Sequence, residues 1–540
     1  MPDAVTYFRA VDSTDRGARQ RVLEAAIAIL GDRGLITNLL TEAASDADCS
    51  VDRAQLWFNR DEDLILALYC RLATDLEARV PELAPGTIAD RFQAVMQAKL
   101  ALVATYKDAF AALLATLLDP RSPLGVLSDS TEIVRSRVLG AFAAVVYGAE
   151  DRPGDDNAPG LIRTLYGIHL ALLLLWTQDR TEDSASARNG LDLAHGLLAL
   201  AGPFLAMPDA AMAFGRVDSV LAPLIEPAPD ADATATAGHI LRTLFRHRRL
   251  QPGAGECAVD PCPQCLALHL PRVRRFVLAG EPIHLLLPAF PAKSPSLQKV
   301  LGALPDRAEE LALEYLAGVC AEIEAVYAPG ARITICSDGR VFSDLVGVSD
   351  EDVSGYGAGI EALIRDMGLT MLDTFSMDDL YPDASFYDMR VHLDALYSEP
   401  VETIQERVRA FEHHRSLFNG IERFMWEERP QAASGTSKTQ ERKLNKERAY
   451  RVVQRSEAWG RVVSECFPAA LRLSIHPQAP HAEKIGILLG DAADTWITPW
   501  HGVAVHQGER WTLMKRFDAE ALGGEIFYRG DAPSYIEVPQ

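Results

Sequence analysis

Cysteine is scarce in this chain of 540 residues. Eight are present, too few for the disulfide framework of a small secreted scaffold. The N-terminus lacks the charged-then-apolar pattern of a secretory signal. Long apolar runs are missing as well. The longest, GIHLALLLLW at 167–176, is about half of what a membrane span requires, so it reads as a buried or dimer-forming helix. Lysine is absent from the first 70 residues, where seven Arg stand against twelve Asp or Glu. The whole chain carries a net charge of −22, which argues against wrapping nucleic acid or docking on an anionic membrane. A cytoplasmic protein without membrane contact is the expectation.

What is present falls into two textures. Residues 16–215 carry apolar positions three and four apart almost throughout, the pattern of an all-α domain. EPAPDADATATAG (226–238) has no periodicity and marks a linker, expected over 216–238. Beyond it, short apolar runs such as IHLLLPAF (283–290), ARITICS (331–337), LRLSIH (471–476) and KIGILLG (484–490) alternate with helical patterns such as 308–327. That alternation predicts an α/β domain over 239–540 with a largely parallel sheet.

The first texture opens with RGARQRVLEAAIAILGDRG (16–34), two shorter helical segments and VDRAQLWFNRDEDLILALY (51–69). These residues resemble the helix-turn-helix domain of TetR-type regulators over 16–69. The helical bundle at 70–215 would then correspond to the regulators' ligand-binding and dimer-forming part, which implies a homodimer through the helical domain. The pattern departs from the family at two places. DADCS (46–50) stands where a turn glycine is usual, and Asp61, Glu62 and Asp63 stand where a phosphate-clamping lysine is usual. DNA affinity rests on basic surface, so the acidic segment argues against DNA binding.

The second texture carries the chemistry. In SDGRVFSDLVGVSD (337–350) a polar cluster follows an apolar strand. Ligands of open α/β sheets bind outside the carboxyl ends of strands, and such a cluster would be costly in a dry core. Ser337, Asp338 and Arg340 are therefore candidate site residues, with Asp344 close behind. The bland reading is a capped turn, with Ser343 or Ser349 starting a helix. PAFPAKSPS (288–296) ends another strand in a proline-fixed turn that presents Lys293 and Ser294. LRLSIHPQ places Arg472, Ser474 and His476 on one strand face, and TPWHGVAV (498–505) adds His501.

With CPQC (262–265) and KVLGALPDRAEELAL (299–313), these segments closely resemble the isonitrile synthase family of pyoverdine and dityrosine biosynthesis enzymes, over about residues 240–520. The resemblance implies a Rossmann-like fold. It also implies a reaction joining the amine of an amino acid, usually Tyr or Trp, to C2 of ribulose 5-phosphate. Carbon–carbon cleavage then leaves that carbon as the isonitrile. No cofactor is implied, since the sugar phosphate is a co-substrate and no nicotinamide is used. A downstream iron/2-oxoglutarate oxygenase is an implied partner in the same secondary-metabolite pathway.

Residue chemistry can be set against that reaction. Residues 438–461 hold eight Lys or Arg and three Glu, and Arg448, Arg451 and Arg455 share a helical face suited to phosphate. Lys293 would join that clamp. His476 and His501 suit proton transfer near neutral pH, and Asp338 and Asp344 suit general-base work. Cys257, Cys262, Cys265 and His269 have plausible zinc spacing, although CPQC belongs to the family-like segment without any metal. Two other functions stay open: a ligand-sensing regulator whose second half binds a sugar phosphate without turnover, and an aldolase-like sugar-phosphate enzyme.

Overall fold

The computed structural model describes residues 13–119, 121–155, 157–205, 207–225, 230–251, 261–428, 437–492 and 497–539. They fall into two units, the first within 1–238, 261–279 and 464–469, the second within 239–260, 280–463 and 470–540.

Every named element of the first unit is a helix. Helices α1 (Ser13–Arg33), α2 (Leu39–Asp46), α3 (Val51–Ala54) and α4 (Asp61–Arg79) come first. They close around Val22, Leu40, Phe58 and Leu64. A second core around Phe92, Phe142 and Leu165 holds the longer helices Ile88–Val103, Glu132–Tyr147 and Ala158–Gln178. Ala158–Gln178 is long and apolar enough by composition to cross a membrane. Leu161, Leu165 and Trp176 on it are buried within the unit, which makes it a core helix here.

The acidic segment has a local task. The Asp61 carboxylate accepts hydrogen bonds from the Leu39 and Leu40 N–H groups at 3.1 and 2.8 Å, satisfying donors at the start of α2. Asp63, buried, accepts from the Asn59 and Arg60 N–H groups at 2.6 and 3.3 Å. Helix α3, where a recognition helix would lie, is one turn of four residues.

Both described ends of the expected linker are helical. Helix Pro208–Ile225 covers its first part and helix Ala231–Phe245 its last, so the division at Gly238 falls inside a helix. Alanine has the highest helix propensity, and Asp230 caps the run by accepting the Ala233 N–H at 3.0 Å. Proline and threonine hid that signal in the sequence. Helix Pro263–Ala279, read as part of the catalytic half, belongs to the first unit, where its Arg272 pairs with the buried Glu77.

Strands of the second unit are β1 (Ile283–Leu287), β2 (Ala331–Cys336), β3 (Leu372–Phe375), β4 (Leu471–Ser474) and β5 (Ile485–Gly486). All pairings are parallel, in the order β3-β2-β1-β4-β5. The chain runs outward from β1 to β3, then reverses to the other side at β4. The point where the order reverses lies between β1 and β4, where ligands of such sheets bind.

A smaller sheet follows, with β6 (Val503–Gln507), β7 (Arg510–Met514), β8 (Glu525–Arg529) and β9 (Ala532–Glu537) in the order β7-β6-β9-β8. Sequence reading did not separate it. Its outer strand β8 is mostly exposed, so an apolar run never marks it.

Replacing Asp61 with Ala should lower stability by about 1 kcal/mol, the usual cost of a lost cap. Chemical denaturation followed by helical circular dichroism measures it, and an unchanged midpoint would deny Asp61 that capping role.

Candidate active site

Three parallel strands deliver their carboxyl ends to one cavity of about 400 Å³ in the second unit. Beyond β1, Pro291–Pro295 form part of the wall. Asp338 and Gly339 follow β2, and Ile475 and His476 follow β4. The turn at 497–501 adds Thr498, Trp500 and His501, and helix Glu412–Glu428 closes another side with Ile421 and Phe424.

Glycine is required at 339 by a close approach. A Cβ there would lie 2.1 Å from the Pro291 carbonyl oxygen and 2.8 Å from the Val353 side chain. The Ser337 hydroxyl donates to the Phe290 carbonyl at 3.0 Å and ties the same two loops. Ser337 thus shapes the wall from behind and does not line it.

Asp338 sits at the N-cap position of helix Gly339–Val346 but makes no side-chain cap bond. It lines the cavity, and burial pushes its pKa up to about 7. The histidines move the other way. Burial, with Arg249 and Lys484 nearby, pushes His476 down to about 4. Burial, with Lys299, His476 and Lys293 nearby, pushes His501 well below its ordinary value. Both imidazoles are therefore neutral at pH 7. His501 is oriented by its Nδ1 contact with the Thr498 hydroxyl at 2.9 Å and by the Phe424 ring, with centroids 4.2 Å apart. The group that titrates near neutrality is the aspartate, not a histidine.

Lys293 lines the cavity, yet its ammonium is already engaged. Nζ lies 2.9 Å from both Asp306 Oδ2 and Glu309 Oε2 and donates to the Pro499 carbonyl at 3.1 Å. Burial works to lower its pKa, and the two carboxylates outweigh this and raise it. Glu309 receives the Tyr356 hydroxyl at 3.0 Å, and burial pushes it up to about 8. Three donor directions point at three acceptors, so Lys293 anchors the 498–501 turn and the start of helix Arg307–Glu324. That engagement corrects the expectation of a phosphate clamp at Lys293. Ser294 lines the cavity and donates its N–H to the Trp500 carbonyl at 2.9 Å.

Other expected site residues lie outside the cavity lining. Arg340 donates to Asp378, the Asp350 carbonyl and Ser354 at 2.8–3.0 Å and stacks its guanidinium over Phe386. Asp344 accepts two bonds from Arg455, at 2.8 and 3.0 Å, and Arg455 also reaches Asp394. Arg390 joins them by pairing with Asp350 and donating to Ser343. These residues hold helix Gly339–Val346 in place. Arg448 and Arg451 are exposed on helix Lys438–Cys466, whose cavity face presents Val452 and Ser456. Arg472 turns toward Glu483 at 3.8 Å. Of the cysteine set, Cys262, Cys265 and His269 belong to the first unit, and Cys257 lies outside the described residues. The capped-turn reading also holds locally, because the Ser349 hydroxyl accepts the Asp352 N–H at 3.0 Å.

Sequence reasoning missed Lys299, Phe342, Phe424, Trp500 and Lys515, all in the lining. Lys299, Phe342 and Trp500 lay inside quoted motifs. The others lay in ordinary helical or strand patterns, and only the fold brings them to the cavity.

A parallel α/β domain with titratable groups gathered in a cavity outside its strand ends has the form of a catalytic domain. A family model described as pyoverdine/dityrosine biosynthesis protein matches residues 273–526. An L-tryptophan isonitrile synthase of Fischerella ambigua is 48% identical over 55% of this chain and 90% of its own length. An L-tyrosine isonitrile synthase of Pseudomonas aeruginosa is 42% identical, covering 56% and 93%. The crystal structure of the PvcA protein from Pseudomonas aeruginosa superposes with a TM-score of 0.53 at 41% identity, covering 56% of this chain and 99% of that one. The chain belongs to the pyoverdine/dityrosine biosynthesis protein family.

Asp338→Asn should raise the melting temperature more at pH 8 than at pH 5. The folded pKa near 7 lies above the unfolded value, so the penalty on the wild type grows from about pH 4 to about pH 7, complete at pH 8 and only partly developed at pH 5. Equal shifts at both pH values would contradict the raised pKa.

Proposed function

We propose that this chain is an isonitrile synthase. It converts the amine of an aromatic amino acid, tyrosine or tryptophan, to an isonitrile whose carbon comes from C2 of ribulose 5-phosphate. The observation that carries the reading is the convergence of Asp338, His476 and His501 on one cavity, within the region matched by named isonitrile synthases. The strand order supports a Rossmann-like description of the domain. Phe342, Ile421, Phe424 and Trp500 give the cavity an apolar wall suited to an aromatic side chain.

Condensation of an amine with a ketone needs proton transfer to the departing water, and the later carbon–carbon cleavages need a base. The neutral histidines accept hydrogen bonds and orient the sugar hydroxyls. Asp338, poised near pH 7, takes and returns the protons. The reading includes a cytoplasmic role in secondary metabolism, with a downstream iron/2-oxoglutarate oxygenase as a pathway partner.

The helical unit is read as TetR-like in form. It encloses its own cavity of about 280 Å³, lined by Tyr69, Lys99, His169 and Trp176 among others, which supports a ligand-binding role there. Leu193, Leu197 and Leu200, exposed by 64, 58 and 72%, form a stripe on helix Ala185–Ala201. A stripe of that kind is suited to a second copy of the chain. Sedimentation should show a dimer, and Leu197→Glu should shift it to monomer. A monomeric wild type would remove this reading.

Ribulose 5-phosphate labelled at C2, incubated with the protein and a pool of amino acids, tests the reaction. A tetrazine trap followed by mass spectrometry should yield a labelled adduct of one aromatic amino acid. Absence of any adduct would overturn the synthase reading for free amino acids. Asp338→Asn should lower turnover by about 10²–10⁴-fold, the usual weight of general acid–base catalysis. Wild-type turnover should climb as pH rises through about 7, where Asp338 loses its proton. The variant should lack that limb.

A further inference from the structure

Four side chains at one end of the cavity have no place in the account so far. Glu427 accepts the Lys515 ammonium at 3.0 Å and the Arg423 Nε–H at 3.1 Å, and Lys299 Nζ lies 3.4 Å away. All four line the cavity. Three cations converging on one carboxylate hold its pKa below the usual carboxylate range despite the opposing effect of burial.

The cations are placed by backbone rather than by chance. The Arg516 N–H donates to the Lys299 carbonyl at 3.0 Å, and the Phe517 N–H donates to the Gln298 carbonyl at 2.8 Å. These bonds fix the segments carrying Lys299 and Lys515 side by side. Lys299 is buried, and its ammonium lies 5.1 Å from the Phe424 ring centroid. Phe424 in turn lies against His501. The cationic end is thus one ring away from the titratable groups.

Among the described residues lining the cavity, Asp338 and Glu427 are the acidic ones. Lys293 also lines it, and its ammonium is taken by Asp306 and Glu309. Lys299, Arg423 and Lys515 are cations that share a partner, Glu427, which is itself a lining group.

We propose that Lys299, Arg423 and Lys515 form the anion subsite of this cavity, taking the phosphate monoester end of the sugar substrate. Glu427 is a placeholder carboxylate that occupies the subsite until phosphate displaces it. The inference rests on the sugar-phosphate reading above and adds to it the residues that hold the phosphate. A phosphate accepts from several donors at once, as the convergent ammonium and guanidinium groups require. The exposed arginines of helix Lys438–Cys466 then have no part in substrate binding.

Inorganic phosphate is the probe, titrated against the full chain by calorimetry and, in parallel, as an inhibitor of turnover. Lys515→Ala and Arg423→Ala, both at partly or fully exposed side chains, should each weaken phosphate binding and raise the KM for ribulose 5-phosphate by about tenfold, with kcat changed far less. That factor equals about 1.4 kcal/mol. Glu427→Gln should tighten phosphate binding by several fold, an effect that general damage to the fold would not produce. Arg451→Ala should leave binding and KM unchanged. Phosphate binding that fails in the wild type, survives both cation variants, or is lost in Arg451→Ala would overturn the subsite. Phosphate that binds and responds as described, with no labelled isonitrile formed, would leave the subsite standing and remove the synthase reading instead.

Discussion

Burying the Lys293 ammonium is the constraint from which the rest of the cavity follows. A cation out of water needs charged or strongly polar partners on every side, and this chain supplies them from three directions. Asp306 starts helix Arg307–Glu324, Glu309 lies one turn further on, and the Pro499 carbonyl belongs to the turn that ends in His501. Asp306 has a second duty, accepting the Ala308 N–H at 2.9 Å as the helix cap. One ammonium thereby ties the loop after β1, a helix start and the turn that carries His501 into a single wall. Two carboxylates on one cation leave an imbalance in a buried place. The chain meets it at Glu309, whose pKa is pushed up to about 8 by burial.

A second group of charges does similar work on the neighbouring wall. Arg340, Arg390 and Arg455 are all buried, and they meet Asp344, Asp350, Asp378 and Asp394 around helix Gly339–Val346. Sequence reasoning took two of these seven residues, Arg340 and Arg455, for substrate ligands and a third, Asp344, for a general base. The error has a physical source. That Asp338 and His476 follow apolar strands is a local fact, visible in the order of residues. That Arg455 meets Asp344 across 111 residues is decided by tertiary structure, and one helical face of arginines looks the same in sequence whether it binds phosphate or carboxylates. The strands themselves were legible for the reason Asp338 was: β1, β2 and β4 lie inside the quoted runs.

Histidine and aspartate show the same limit in their titration. From sequence, each carries its ordinary pKa, and histidine is then the natural shuttle near pH 7. Burial acts on both in the direction that favours the neutral form. It moves His476 to about 4 and Asp338 to about 7, exchanging their aptitudes for acid–base work. Nothing in the spacing of SDGR or LSIHPQ carries that information, because it depends on what covers each residue in the fold.

Net charge is the coarsest reading of all, and here it is true but says little of where charge acts. The −22 of the whole chain coexists with a cavity end where Lys299, Arg423 and Lys515 crowd one carboxylate. A field inside a low-dielectric cleft is set by the few charges that line it, since exposed charges further off are screened within about a Debye length. The acidic run at 61–63 makes the converse point. Its charge speaks against phosphate contact, and Asp61 and Asp63 point inward at backbone N–H groups of α2 and of the turn before α4. Those acids are there because helix starts need acceptors. In both places the direction in which a charged group points, rather than its sign in a sum, determines what it does.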